Sequence, residues 1–431
     1  MGVKAFTNVM IYDYENFIKN GYVRFDKEIA EVGDMKDYRK NPDDEVIDLN
    51  GHMVLPGFIN SHMHIYSTFA RGMIVPYDPK SFKDILLQLW WKLDAKLDEE
   101  AVYYSGLVSA VELIKNGVTT VIDHHASGMI IRGSLSTLKK AVVDKGKMRG
   151  IFCFETSDRF DVDKAIEENV EFMKEKSEKH AGMFGLHASL SLSDETLKKI
   201  SEVLEERPIH IHVAESYEDE QDSMEKSGMR VVERLERFGL LTKNSILAHC
   251  VHINENEAKI LKGKDVFIAV NVTSNMNNAV GLPKTKLFKE YGIPIVIGND
   301  GLGYNITRDW MNLYFSQKLL YEKPTYFSLD DLYEGIKNGY RLASELLGVK
   351  IGSIQKGYKA DFTIVKYSPP TPLDESNIAG HVFFGVFDKP DIRYVLVDGE
   401  YLMKDGEIHL NESEIYKEAS NVAKKVWERL K

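Results

Sequence analysis

Eight short apolar runs rich in β-branched residues recur along the chain, each ending in polar or ionisable side chains. In order they are VLPGFINSHMH, VTTVIDHHAS, RGIFCFETSDR, GMFGLHASLS, PIHIHVAES, SILAHCVHI, VFIAVNVTSN and IPIVIGNDG. Between them lie stretches such as SLSTLKKAVVDK, SDETLKKISEVLEER and GMRVVERLERFG, in which apolar residues repeat at three and four and the opposite face is charged. Runs of the first kind read as buried strands and those of the second as amphipathic helices. Eight strands alternating with helices over roughly 300 residues predict a closed parallel (β/α)8 barrel of the TIM type, an α/β fold.

The pattern changes at both ends. Up to about Leu55 and from about Gly352 onward, hairpin signals take over, as in IRYVLVDGEYLMKDGEIHL with Asp-Gly turns at Asp398-Gly399 and Asp405-Gly406. Neither flank is long enough for a domain alone. Residues 1–55 and 352–431 are therefore expected to form one small β-sandwich-like domain beside a barrel of residues 56–351. The last stretch, ESEIYKEASNVAKKVWERLK, predicts a terminal helix.

Composition narrows the function classes. The 431 residues are 43% hydrophobic and 28% charged, the balance of a folded chain. Lysine and arginine total 55 against 66 acidic residues, a net charge of -11 that argues against phosphate-backbone binding and hence against nucleic acid as a partner. Two cysteines, Cys153 and Cys250, are too few for a disulfide framework and fit a reducing compartment. No run approaches the roughly 18 apolar residues of a membrane span. The opening MGVKAFTNVMIYDYENF has no secretory apolar core, and Phe6 stands where a myristoylation signal needs serine or threonine. The expectation is a cytoplasmic protein without a membrane partner.

The candidate chemistry sits at the strand ends. His62 and His64 in NSHMH are separated by one residue, so an extended strand points both imidazoles to one face, within reach of one metal ion. His212 in HIHVAES, His249 in LAHCVHI and Asp300 in GNDG close the fifth, sixth and eighth runs. All five fall where barrel strands deliver side chains to the C-terminal face, the usual seat of a barrel active site. Neutral imidazoles with one carboxylate suit a borderline Lewis acid such as zinc, with iron also compatible. The alternative is a set of separate strand-end residues, each satisfied by its own hydrogen bonds.

With these residues in view, LPGFINSHMH, HVAE, LAHC, TSN and GNDG resemble the signatures of the amidohydrolase superfamily, in its cytosine deaminase, guanine deaminase and triazine chlorohydrolase branch. LWWKLD, DHHAS, GSLSTL, FETSDR and SNMNNAVG resemble the aminohydrolase group associated with selenium and purine metabolism. The resemblance implies one divalent ion held by His62, His64, His212 and Asp300, with His249 beside the attacking water and Glu215 of HVAE as proton shuttle. It implies that His187 in GLHASLS contacts substrate. The fourth run lacks the lysine that bridges two metals in binuclear relatives, and Glu155 is the one residue placed to bridge a second ion. Asp123, His124, His125, Glu155 and Arg159 are expected to line or brace the pocket, with His125 and Glu155 as substrate contacts. Trp90 is a candidate ring-stacking residue, although a core role for the pair Trp90-Trp91 is the simpler reading, since helix neighbours do not share a face. The chain departs from related deaminases at Val270 and Val272, where they often carry histidine and proline, so their substrate contacts do not transfer at that strand.

The reading is a hydrolase that attacks a carbon–nitrogen bond of a planar, purine- or pyrimidine-like heterocycle by metal-bound hydroxide, with deamination favoured. Ring opening and hydrolytic dechlorination use the same site with another leaving group. A non-catalytic scaffold, which would be expected to have lost ligands, is the rival from another class. The resemblance also makes a homodimer the expected assembly.

Overall fold

The computed structural model describes residues 3–431. Chain order begins with β1 (Lys4–Tyr12), β2 (Phe17–Phe25), β3 (Ile29–Asp34), β4 (Glu45–Asp48) and β5 (His52–Pro56). The central strands are β6 (Phe58–Met63), β7 (Val118–His125), β8 (Arg149–Phe154), β9 (His180–Gly182), β10 (Phe184–Ala188), β11 (Ile209–Val213), β12 (Ile246–His249), β13 (Phe267–Val270) and β14 (Ile295–Ile297). The chain returns through β15 (Phe362–Lys366), β16 (Ile392–Val397), β17 (Glu400–Lys404) and β18 (Glu407–Ile408).

Each of the eight apolar runs forms a strand, and the short β9 just before the fourth run adds a ninth; all pair in parallel, β6 through β9 in one sheet and β10 through β14 in a second. Two seams join them into a ring. At one, Thr156 bridges Leu186 in parallel, with Thr156 N–H donating to the Gly185 carbonyl and His187 N–H to that of Thr156, both at 3.0 Å. At the other, Met63 bridges Asp300, and the Asn299 and Asp300 amides each donate to the His62 carbonyl at 3.1 Å. Every residue of β7, β8 and β11 is buried, as expected for parallel strands covered by helices outside and packed side chains within.

The chain ends share one nine-stranded sheet, in which β15 pairs antiparallel with β5 and β1 lies parallel to β4 and β5. The sheet curls around its own apolar cluster, where Phe25 packs with Phe6 and Phe362 at ring-centroid distances of 4.7 and 5.2 Å. The terminal helix Glu412–Glu428, grouped with the sheet in the sequence reading, packs its apolar face on the barrel-side helix Glu99–Lys115. Trp427 Nε1 fixes it by donating to the Phe69 carbonyl at 2.8 Å.

One buried arginine ties sheet to barrel. Arg149, the first residue of β8, donates through Nε and Nη2 to both oxygens of Asp361 at 2.6 and 2.9 Å, through Nη2 also to Asp398, and through Nη1 to the Glu178 carbonyl at 2.7 Å. Removing one partner strands buried charge, so Arg149→Ala is expected to cost about 3–5 kcal/mol, read from the urea midpoint; a loss under about 1 kcal/mol would contradict this role. Burial opposes ionisation of Asp398, yet the adjacent guanidinium holds its carboxyl below the usual range. A depressed carboxylate contributes stability above its unfolded pKa of about 3.9 and loses it as pH falls through the folded value. The clamp therefore weakens only in strong acid.

Candidate metal centre and active site

The barrel strands converge the candidate residues as their register requires. His62 lies on β6 and His212 on β11; His64 follows β6 directly, His249 ends β12, and Asp300 stands three residues beyond β14. His62, His64, His212 and Asp300 each offer a ligand atom within 4.8 Å of the others, and Glu215, His249 and Asp300 form a second group on the same criterion. The chain is held in left-handed backbone at Ala214 (φ 44°), His249 (φ 73°), Cys250 (φ 49°) and Asp300 (φ 54°), just where these strands end. Such conformations cost about 1–3 kcal/mol each and cluster at functional sites.

Hydrogen bonding fixes which atoms face the centre. His64 Nδ1 lies 2.7 Å from the His124 carbonyl oxygen and His212 Nδ1 2.8 Å from that of His187. A carbonyl only accepts, so each Nδ1 carries the proton and each Nε2 presents a lone pair. These two Nε2 atoms nevertheless stand 3.1 Å apart. Asp300 Oδ1 is 3.0 Å from His64 Nε2 and 3.5 Å from His62 Nε2, and the latter is buried without a hydrogen-bond partner. Lone pairs and a carboxylate aimed at one point repel unless positive charge sits among them. Three imidazole nitrogens and one carboxylate oxygen fit a divalent ion of the zinc or iron kind. Without one, a proton is the remaining solution: burial disfavours charge on His64, but Asp300 outweighs it and pushes the imidazole up to about 9. Cation and proton thus compete for the same lone pair.

His249 is built differently. Asn275 Nδ2 donates to its Nδ1 at 2.9 Å, leaving the proton on Nε2, which faces Glu215 Oε2 at 3.5 Å. Burial pushes its pKa down to about 3, so the ring is a neutral donor. Burial, and next the Asp300 charge, push the Glu215 carboxyl well above its ordinary range. Asn278 Nδ2 donates to Glu215 Oε1 at 3.4 Å, and Ser274 Oγ donates to Asp300 Oδ2.

Above this centre opens a pocket whose wall includes His187, Glu155, Asp94, Trp90 and Trp91. Both tryptophans reach it: Trp90 stands where the ring-stacking candidate was expected, and Trp91 beside it corrects the expectation that helix neighbours do not share this face. The segment Leu86–Trp90 is a π-helical turn, whose wider winding changes the angle between successive side chains. A second correction concerns His125, which is fully buried, lies outside the pocket wall and bonds through Nε2 to Ser127 Oγ at 3.0 Å. Consecutive strand residues face opposite ways, so His124 turns inward and His125 outward. Glu155 lines the pocket but joins neither metal-binding group found among the described residues. Its Oε1 accepts from Arg159 Nη1 at 2.9 Å, while Arg159 Nη2 reaches Asp94 Oδ1 at 2.5 Å and the guanidinium lies 4.5 Å from the Trp91 ring centre. Burial dominates at Glu155 and pushes its carboxyl up to about 8. Asp123 and His124 brace the site: Asp123 Oδ1 accepts from Ile65 N at 2.6 Å, and His124 Nε2 donates to the Leu186 carbonyl at 2.8 Å.

Two further residues, neither singled out in the sequence as a site residue, shape the loop that carries Glu215. Asp219 accepts from the amides of Ala214 and Leu190, both at 2.9 Å, pinning the turn that carries Glu215. Asn278 holds Glu215 itself. Neither is marked by a strand end, which is why the strand pattern does not point to them.

The comparisons with known proteins agree with this architecture. The amidohydrolase family model matches residues 53–402. A 5'-deoxyadenosine deaminase of Methanococcus maripaludis is 30% identical over 398 residues, covering 86% of this chain and 90% of the relative. A 5-methylthioadenosine/S-adenosylhomocysteine deaminase of Bacillus cytotoxicus is 29% identical over 412 residues, covering 91% and 92%. Among solved structures, an adenosine deaminase of Xanthomonas campestris with bound zinc superposes with a TM-score of 0.84 at 18% identity, covering 98% of both chains. The zinc complex of an atrazine chlorohydrolase from Arthrobacter aurescens gives 0.82 at 18% identity, covering 97% of this chain and 100% of that one. From the family match across most of its length, the chain belongs to the amidohydrolase family, as a hydrolase acting on carbon–nitrogen bonds.

Proposed function

We propose that the protein is a metal-dependent aminohydrolase that removes an exocyclic amine from a purine-like heterocycle, with adenine nucleosides as the first class to test. The observation that carries this reading is the convergence of tautomer-fixed imidazole lone pairs and Asp300 beside an acid, Glu215, that is not among the four. The names of the relatives, both deaminases of adenine nucleosides, support the substrate class.

His62, His64, His212 and Asp300 would hold one divalent ion, in our reading zinc. Bound there, such an ion supplies Lewis acidity and lowers the pKa of water toward about 7. Asp300 accepts the proton that the attacking water gives up. His249 orients that water through its Nε2–H. Glu215, whose burial favours the neutral carboxyl, donates to the ring nitrogen as the attacked carbon becomes tetrahedral; Asp300 passes the water's proton to the exocyclic nitrogen, which leaves as ammonia, and the proton of the new hydroxyl restores Glu215 as the carbonyl forms. His187, Trp90, Trp91 and Glu155 form the wall against which the heterocycle is placed.

Ammonia release from 5'-deoxyadenosine, 5'-methylthioadenosine, S-adenosylhomocysteine, adenine, guanine, cytosine and a chlorotriazine tests the reading. Turnover of an aminated purine is expected; chloride release alone, or no ammonia from any member, would overturn it. A planar ring stacked on an indole contributes about 1–3 kcal/mol, so Trp90→Ala and Trp91→Ala are each expected to raise KM by roughly 5- to 150-fold. Unchanged KM in both would remove the tryptophans from substrate binding.

A further inference from the structure

The three imidazoles that face the centre are not oriented alike. His64 and His212 lean on backbone carbonyls, which can only accept. His62 has no such partner: its Nδ1 lies 2.8 Å from Nε2 of another buried side chain, His210. His210 precedes His212 by two residues on β11, so the strand period points both rings inward, and it is 0% exposed.

We propose that His210 is a positioning residue that accepts from His62 Nδ1–H and thereby presents the His62 Nε2 lone pair to the cation. The inference rests on the four-ligand reading above. Two neutral imidazoles can share this bond in two ways. If His210 Nε2–H donates, His62 carries its own proton on Nε2, aimed at the ligand cluster, and cannot ligate. If His62 donates, Nε2 is free for the ion and His210 carries its proton on Nδ1. The surroundings suit the second arrangement. His124 donates Nε2–H to the Leu186 carbonyl, so its Nδ1 is a lone pair, and its ring centre lies 5.0 Å from that of His210. Both of these Nδ1 atoms are buried with no hydrogen-bond partner; in this arrangement one is a donor and the other an acceptor, whereas in the first both would be lone pairs. Among the described residues no backbone carbonyl takes the place of His210, so a residue without an acceptor there leaves the His62 tautomer unset.

The test compares His210→Phe, which keeps a ring but no acceptor, with His210→Gln, which restores an acceptor oxygen. Zinc affinity is measured on the full chain by chelator competition, the visible spectrum of the cobalt-loaded protein reports ligand number, and the melting midpoint of the metal-free protein reports packing. His210→Phe is expected to weaken zinc binding by about 10- to 100-fold and to change the cobalt spectrum, with His210→Gln within about threefold of the parent. Zinc binding by His210→Phe within threefold of the parent overturns the proposal, and so does equal weakening in both variants, which would assign His210 to core packing. Should His210→Phe fail to fold, nitrogen-15 NMR of the histidine-labelled, zinc-loaded parent decides: a proton on His62 Nδ1 is expected, and one on Nε2 overturns the proposal. A parent chain that binds no zinc instead overturns the four-ligand reading itself.

Discussion

Asp300→Asn is expected to fold, to bind a divalent ion more weakly and to lose at least about 10³-fold in kcat, the scale of removing a positioned proton acceptor. Asp300 is the anionic member of the four converging side chains, with Oδ1 3.0 Å from His64 Nε2 and Oδ2 accepting from Ser274. An amide keeps the shape but brings neither the charge that holds the ion nor a basic oxygen that takes a proton. Folding should survive, because the residue sits at φ 54°, a left-handed conformation that asparagine tolerates as well as aspartate does. Ammonia release, metal content and circular dichroism on one preparation check all three parts. Turnover within tenfold of the parent would remove Asp300 from the chemistry.

Glu215→Gln separates proton transfer from metal binding. Glu215 stands outside the four-ligand group, 3.5 Å from His249 Nε2. The variant should therefore keep its ion while kcat falls by about 10²- to 10⁴-fold. Glutamine can still accept from Asn278, so the loop has no reason to move. Lost metal together with lost activity would place Glu215 among the ligands, and near-normal turnover would end its role as shuttle.

The strand ends were legible because barrel register converts sequence position into place. A run that ends in HMH, HVAE, LAHC or GND must deliver those groups to one face, and His62, His64, His212, His249 and Asp300 meet there. The same period-2 rule carries two further assignments. In IDHHAS only one of the adjacent histidines can face inward, and His125 is the one that does not; in HIHV the first histidine must share the inward face of the second, which puts His210 beneath His62. Trp90 was a candidate for the pocket, but that Trp91 joins it was illegible for another reason. Ordinary helical spacing separates Trp90 from Trp91, and no residue type announces the π turn at Leu86–Trp90 that directly precedes Trp91. Asp219 and Asn278 act through hydrogen bonds across loops, which no periodicity encodes.

The ligand set predicts a single ion, because Glu155, the residue placed to bridge a second, is instead tied to Arg159 in the pocket wall. Stripping the protein with a chelator and adding zinc back while following ammonia release from a purine nucleoside tests this directly. Activity should vanish on stripping and return in full at one equivalent per chain. Activity that survives complete metal removal, or that requires two equivalents, would contradict a single cation held by His62, His64, His212 and Asp300.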